Sequence, residues 1–216
     1  MPISPGQEWG GSITGPPDAT VRGDDADLAA AVAAHPGARL RFQPGPGSDV
    51  ARAVALDGRE PEREVPVDAL RLDDETLACN MIVLGTPPDR LRRISSLTSM
   101  TVTVDGREIF DGGATTVVVA TGQYLRGLDV VPRGHPGDGR AEIQVYAVPA
   151  ADRKALRARL ASGTHVPHPA IVRSSGRRVE SATRHPFGLE IDGRSVKRRV
   201  LDHTVEIIPA AYRLLI

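Results

Sequence analysis

The chain has almost no lysine and a single cysteine. Lys154 and Lys197 are the only lysines among 27 basic residues, and 27 acidic residues cancel the total, so the formal net charge is zero. Without a whole-protein field to gather polyanions, nucleic acid is not an expected partner. The surplus of Arg, Ala, Gly, Asp and Pro is compositional bias rather than a binding code. Cys79 alone excludes an intramolecular disulfide framework and a cysteine-based zinc site, which fits a reducing cytosol. Its neighbours, Leu77-Ala-Cys-Asn-Met-Ile-Val-Leu84, are mostly apolar, so a buried, inert thiol is expected. The first thirty residues lack a charged start followed by an apolar run, and no stretch of about eighteen apolar residues occurs. The expectation is a soluble, unsecreted, cytoplasmic protein.

Residues 1–18 are rich in Gly, Pro and Ser around Trp9 and read as a flexible arm. Asp24-Asp25-Ala26-Asp27 opens a helix that runs through Ala34 to the stop at Pro36-Gly37, its acids suited to the positive end of a helix dipole. Ala38 to Phe42 alternates as a strand. Ser48-Asp49 can cap a second, short helix. The 19–60 segment is therefore a partial α/β unit. A charged linker at Asp57 to Glu64 gives way to a β-rich domain over 61–207, in which short strand candidates alternate with Asp105-Gly106, Asp138-Gly139 and Asp192-Gly193 turns. Two helices, Arg90 to Ser96 and Ala150 to Ala161, interrupt the strands. Residues 208–216 form a C-terminal segment that can return to the first unit. The fold class is α+β, a remnant α/β unit followed by a larger antiparallel β-sandwich.

In order and separation, Pro132-Arg-Gly-His-Pro-Gly-Asp138-Gly139, Gly163-Thr-His165-Val-Pro-His-Pro169, Phe187-Gly-Leu-Glu-Ile191-Asp192-Gly193 and the closing Pro209-Ala-Ala-Tyr-Arg-Leu-Leu-Ile216 resemble the C-terminal half of the diacylglycerol-kinase-like lipid kinases. The resemblance covers roughly residues 20 to 216. It implies ATP-dependent phosphoryl transfer to a lipid hydroxyl, with Mg2+ and ATP as cofactors if the chain is active and none otherwise. A lipid or other hydrophobic alcohol is the implied partner. Arg90-Leu-Arg-Arg-Ile94 and Lys197-Arg198-Arg199 are the stretches able to touch an anionic membrane.

The family's first phosphate loop, Gly-Gly-Asp-Gly-Thr, aligns with Arg22-Gly23-Asp24-Asp25-Ala26, and its second with Pro44-Gly45-Pro46-Gly47-Ser48-Asp49-Val50-Ala51-Arg52. Glycines in such loops let backbone N–H groups reach phosphate oxygens. Gly23, Asp24, Gly45, Gly47, Ser48 and Asp49 are the implied nucleotide-binding residues. Asp25 places a carboxylate where phosphate would approach, and Pro46 removes a hydroxyl and a backbone donor, so both changes oppose ATP. Asp24 and Asp138 are the implied magnesium-linked carboxylates, Arg133 being the cation that would oppose metal at Asp138. Asp192 is the implied base, and Arg194, in place of an acid, is expected to lower its pKa. If the chain transfers nothing, it remains a lipid- or partner-binding module.

Residue types alone leave other readings open. Asp105, Asp138 and Asp192 suit hairpin tips, Asp24 and Asp25 suit a helix start, and His165 with His168 suits a structural pair, since Pro167 and Pro169 forbid a ligating helix. An exposed edge on a truncated α/β sheet favours pairing with another chain, so a homodimer is among the expected states.

Overall fold

A computed structural model describes residues 8–73, 75–197 and 201–216. Residues 1–7 of the expected arm, and Arg198 and Arg199 of the second basic stretch, lie outside these. In chain order the elements are β1 (Gly11–Ser12), β2 (Ala19–Gly23), α1 (Asp25–Ala34), β3 (Arg39–Pro44), α2 (Asp49–Ala53), β4 (Arg63–Leu72), β5 (Thr76–Ala78) and β6 (Met81–Gly85). There follow β7 (Thr98–Val104), β8 (Arg107–Ala114), β9 (Thr116–Ala120), the small hairpin β10 (Tyr124–Leu125) and β11 (Leu128–Asp129), then β12 (Ala141–Tyr146) and α3 (Arg153–Arg159). The chain closes with β13 (Ile171–Gly176), β14 (Arg178–Thr183), β15 (Leu189–Ile191), β16 (Arg194–Val196) and β17 (Asp202–Leu215).

Two sheets face each other. One runs β13-β12-β9-β6-β15-β16, and the other β1-β4-β17-β14-β7-β8 with β2, β3 and β5 attached at its side. Alternation along the strands sends Ile82, Leu84, Val117, Val119, Ile143 and Val145 of the first sheet against Leu70, Leu72, Val102, Val104, Val179 and Val205 of the second. Each such side chain, fully withdrawn from water, stabilises by about 1.5–3 kcal/mol. The opposite residues of the first sheet, Met81, Val83, Val118 and Ala120, are covered by Leu156 and Leu160 of the α3 segment and by Leu125, Val130 and Val131. Those strands consequently carry continuous apolar runs.

β17 unites the halves of the sequence. Its first part lies between β14 and β4, and its last residues, Arg213 to Leu215, pair in parallel with Arg39 to Arg41 of β3. The change of neighbour occurs at a bulge between Ile208 and Tyr212, where Ala210 takes a φ of +50°. Asp68 fixes it, one carboxylate oxygen accepting from Ala210 N (2.8 Å) and the other from Gly139 N (2.7 Å). The charged linker near residue 60 thus separates compositions, not hydrogen-bonded sheets.

Three local expectations need correction. Residues 8–18 are not loose: Trp9 Nε1 donates to Pro66 O at 3.0 Å, and β1 pairs with Glu64 and Arg63 of β4. Arg90 to Ser96 is no helix, because Pro87 and Pro88 start only a 3-10 turn and the carbonyls of Arg92, Arg93 and Ser95 accept from the Arg153 guanidinium, with a single Ser95 N to Arg92 O turn bond beside it. The single strand expected over Thr76 to Leu84 is split at Cys79-Asn80, where the backbone turns to donate to a carboxylate of the cleft.

Candidate functional site

The loops after β2 and β3 lie against each other. Gly45 N donates to Gly23 O at 2.5 Å. Gly23 is required by its neighbour: at φ +131° a Cβ there would meet Asp27 Oδ2 at 2.0 Å. That Asp27 oxygen accepts from Asp24 N, while Asp24 Oδ1 accepts from Ala26 N and Asp27 N at 3.0 and 3.2 Å, a reciprocal capping box that starts α1. Asp24 also pairs with the half-exposed Arg194 guanidinium. Desolvation works to raise its pKa, but Arg194 and the backbone donors of Asp27 and Ala26 hold the carboxyl below the usual range.

Asp25 turns inward. It accepts from Ser48 Oγ, from Asp49 N at 2.9 Å and from Val50 N at 3.3 Å, so its carboxylate occupies the donors that begin α2. Burial, aided by the Asp49 charge, raises its pKa despite those donors. Ser48 is the N-cap of α2, its Oγ accepting from Ala51 N at 3.0 Å. Asp49, also buried, accepts from Arg126 N (2.5 Å) and Gly127 N (2.7 Å), which ties α2 to the β10–β11 turn. Gly47, at φ +83°, borders open space.

Asp192 sits at the tip of the β15–β16 hairpin, where it and Gly193 take φ of +46° and +77°. Its carboxylate points back into the molecule. Oδ2 accepts from Cys79 N at 2.8 Å, and Oδ1 accepts from Asn80 N and Met81 N at 3.0 and 2.9 Å. Burial, with a contribution from the Asp25 charge, raises its pKa to about 7 in spite of these three donors. This reverses the expected effect of Arg194, whose guanidinium engages Asp24 and leaves the neighbouring carboxyl to desolvation. The Cys79 thiol is buried and pushed up by desolvation and by Asp192, so it is no nucleophile.

Between α1 and the hairpin lies a cleft of about 400 Å³. Ala26, Ala29, Ala30 and Ala33 line one wall, Ile191 and Val196 the other, and Leu77 the floor, with Glu75, Thr76, Asp192 and Arg194 as its polar groups. Small side chains on α1 make the space. An apolar cleft bordered by a few polar groups, one of them a carboxyl of perturbed pKa, is the usual form of a small-molecule site.

Asp138 belongs elsewhere. It accepts from Arg140 N at 2.9 Å and stands beside Asp68 and Glu142, whose pKa values are raised by burial and by the Asp138 charge. Among the described residues no hydrogen bond or ion pair links it to Asp24, Asp25 or Asp192, and no group of three or more His, Cys, Asp and Glu is arranged to hold a metal ion. His165 is buried with Nε2 against Val130 O at 3.0 Å, and His168 Nδ1 accepts from Ala170 N.

Sequence reasoning missed Arg126 and Glu190. The Arg126 guanidinium joins Asp89 (2.6 Å), Glu190 (2.5 Å) and Gly193 O (3.3 Å), so it clamps the Asp192 hairpin to the Asp49-bound turn. A charged residue between Leu189 and Ile191 was the available signal for Glu190.

Residues 88–216 match the family described as the YegS C-terminal NAD kinase beta sandwich-like domain. No curated protein matches the chain in sequence. Among solved structures, a diacylglycerol kinase from Bacillus anthracis strain Sterne superposes with a TM-score of 0.70 at 17% identity, covering 92% of this chain and 76% of that one. An NAD kinase from Archaeoglobus fulgidus in complex with ATP gives 0.51 at 15% identity, covering 92% and 78%, and yeast NADH kinase complexed with NADH gives 0.51 at 14%, covering 92% and 62%. These superpositions show the fold alone, which is diacylglycerol-kinase-like and NAD-kinase-like.

Proposed function

This chain belongs to the family of YegS C-terminal, NAD-kinase β-sandwich-like domains, and from that premise we propose that it binds a hydrophobic alcohol of the lipid class in the α1 cleft without gripping ATP. The observation that carries the reading is the position of Asp25. Its carboxylate takes the Ser48 hydroxyl and the Asp49 and Val50 N–H groups, the donors to which a phosphate oxygen would turn at the second loop. Gly23 and Gly45, the glycines that would open the loops, hydrogen-bond each other. An entering triphosphate would have to displace a carboxylate and then lie beside Asp25 and Asp49. The residues present therefore do not fit ATP, and Asp24, engaged by two helix N–H groups and Arg194, does not fit a magnesium ion bound to it. The apolar walls do suit an acyl chain, and Asp192 stands in the lining beside them.

The test is a thermal-shift titration with a short-chain diacylglycerol and, separately, with Mg-ATP. The lipid should raise the melting temperature with concentration and Mg-ATP should not. Ala33→Glu, an exposed change on the cleft wall, should remove the lipid response. One observation favours a second reading, a divergent lipid kinase: a carboxyl with a pKa of about 7 beside the cleft is suited to take a hydroxyl proton. A Mg-ATP shift, with labelled phosphate in the extracted lipid, would establish that reading and overturn the first.

A further inference from the structure

The chain is neutral overall, but its charge is not evenly spread. Arg90, Arg92 and Arg93 are exposed on the turn after β6, and Lys154, Arg157 and Arg159 are exposed on α3. The two segments form one surface. Arg153, 2% exposed, donates from Nη1 to the carbonyls of Arg92 (2.9 Å), Arg93 (3.3 Å) and Ser95 (2.6 Å), and from Nε to Val148 O (2.9 Å). Arg157 follows one helical turn later on the same side of α3. Nearby acids offer little compensation: Asp89 and Glu190 are bound to Arg126, Arg90 shares Glu190, and Asp152 is the exposed acid at the α3 N-cap. Among the described residues no ion pair engages Arg92, Arg93, Lys154, Arg157 or Arg159.

At the tip of this basic turn stands Ile94, 84% exposed, with Leu97 at 53%. The tip is held in place: Arg92 N donates to Ser95 Oγ and Ser95 N to Arg92 O, each at 3.0 Å, above the buried Arg153 guanidinium. A large aliphatic side chain held outward between arginines matches a bilayer interface, where the apolar group enters the acyl boundary and the guanidinium groups meet lipid phosphates. A nucleic acid would satisfy the charge but give Ile94 nothing to bury against.

We propose that the Arg90–Leu97 turn and α3 form a docking surface for an anionic phospholipid bilayer, with Ile94 as the inserted residue. Arg90 connects this surface to the cleft hairpin through Glu190. Docking does not depend on what occupies the cleft, and vesicle binding can succeed or fail irrespective of any ligand response there.

The protein is sedimented with phosphatidylcholine vesicles containing or lacking phosphatidylglycerol. Binding should require the anionic lipid and weaken as salt is raised. Each basic residue near such a surface is worth about fivefold in affinity, so Arg92→Ala with Arg93→Ala should lose about 25-fold. Ile94→Ser should lose about tenfold. All three side chains are exposed, so melting temperatures should remain those of the parent. Ile94→Cys carrying an environment-sensitive fluorophore, selective because Cys79 is buried, should shift to the blue on anionic vesicles alone. Equal binding to neutral vesicles, indifference to the arginine changes, or an unshifted label would overturn the proposal. So would preferential binding of duplex RNA without vesicle binding, or self-association in ultracentrifugation that Ile94→Ser removes.

Discussion

Asp192 should make the protein less stable as pH rises from 4 to 7, and Asp192→Asn should remove that dependence. Its folded pKa is raised from 3.8 to about 7. Below pH 4 the carboxyl is protonated in both states and nothing is lost. Between the two pKa values the native state keeps a proton that the unfolded chain releases, so stability falls by about 1.36 kcal/mol per pH unit and is lower by about 4 kcal/mol above pH 7. Urea unfolding of parent and variant at pH 5, 6, 7 and 8 isolates this contribution from Asp25, Asp68 and Glu142, whose raised pKa values act in the same direction. The difference between the two proteins should change by about 2.7 kcal/mol from pH 5 to pH 8 in favour of the variant. Superimposed on it is a pH-independent loss of about 1–3 kcal/mol, since the Asn amide turns a donor toward one of the three backbone N–H groups. Parallel curves would refute the argument and mean that the Cys79, Asn80 and Met81 donors outweigh desolvation.

Other perturbations separate the roles of the neighbouring residues. Asp25→Ala leaves the Ser48 hydroxyl and two backbone N–H groups without their acceptor and should cost about 2–4 kcal/mol, lowering the melting temperature by roughly 5–15 °C in calorimetry. Arg194→Ala removes a pair whose side chains are 57% and 43% exposed, so urea unfolding should change by less than about 1 kcal/mol. The Asp192 midpoint, read from the same pH series, should stay put, whereas the proximity argument from sequence requires it to rise. Arg153→Met takes a donor from four carbonyls, of which Arg92 O keeps Ser95 N, and should cost about 3 kcal/mol by urea unfolding, with faster amide exchange in residues 92 to 97 as the local signature.

The architecture was legible wherever burial follows a period. Val102, Val104, Val179 and Val205 alternate with polar residues and lie in strands, and the Asp-Gly pairs at 105 and 192 make the turns their φ tolerance suggests. What could not be read were elements defined by a distant partner. β8 and β16 carry weak apolar patterns, and β16 is fully exposed, yet each is held by a tight hairpin to its predecessor. The turn at Arg90 to Ser96 has helical composition, but a buried arginine sixty residues away takes its carbonyls.

The site was legible in its residue types and not in their directions. Asp24 and Asp25 are adjacent, and a resemblance to phosphate loops treats them as one motif, but successive residues at a helix start point to different sides of the axis. Asp24 faces solvent and Arg194, and Asp25 faces Ser48. Arg194 likewise stands two residues from Asp192, and sequence proximity made it the obvious perturbant. In a two-residue hairpin those positions differ in orientation, so the cation serves the α1 cap and the acid is left among apolar groups. Desolvation at a buried carboxyl exceeds the influence of a cation whose charge is already satisfied in water, which is why Asp192 is raised rather than lowered. The ion pair formed by Arg194 thereby stands beside the cleft that Arg194 lines. Removing it by Arg194→Ala should speed binding of the short-chain diacylglycerol in stopped-flow mixing, and an unchanged rate would show that the pair does not bar entry.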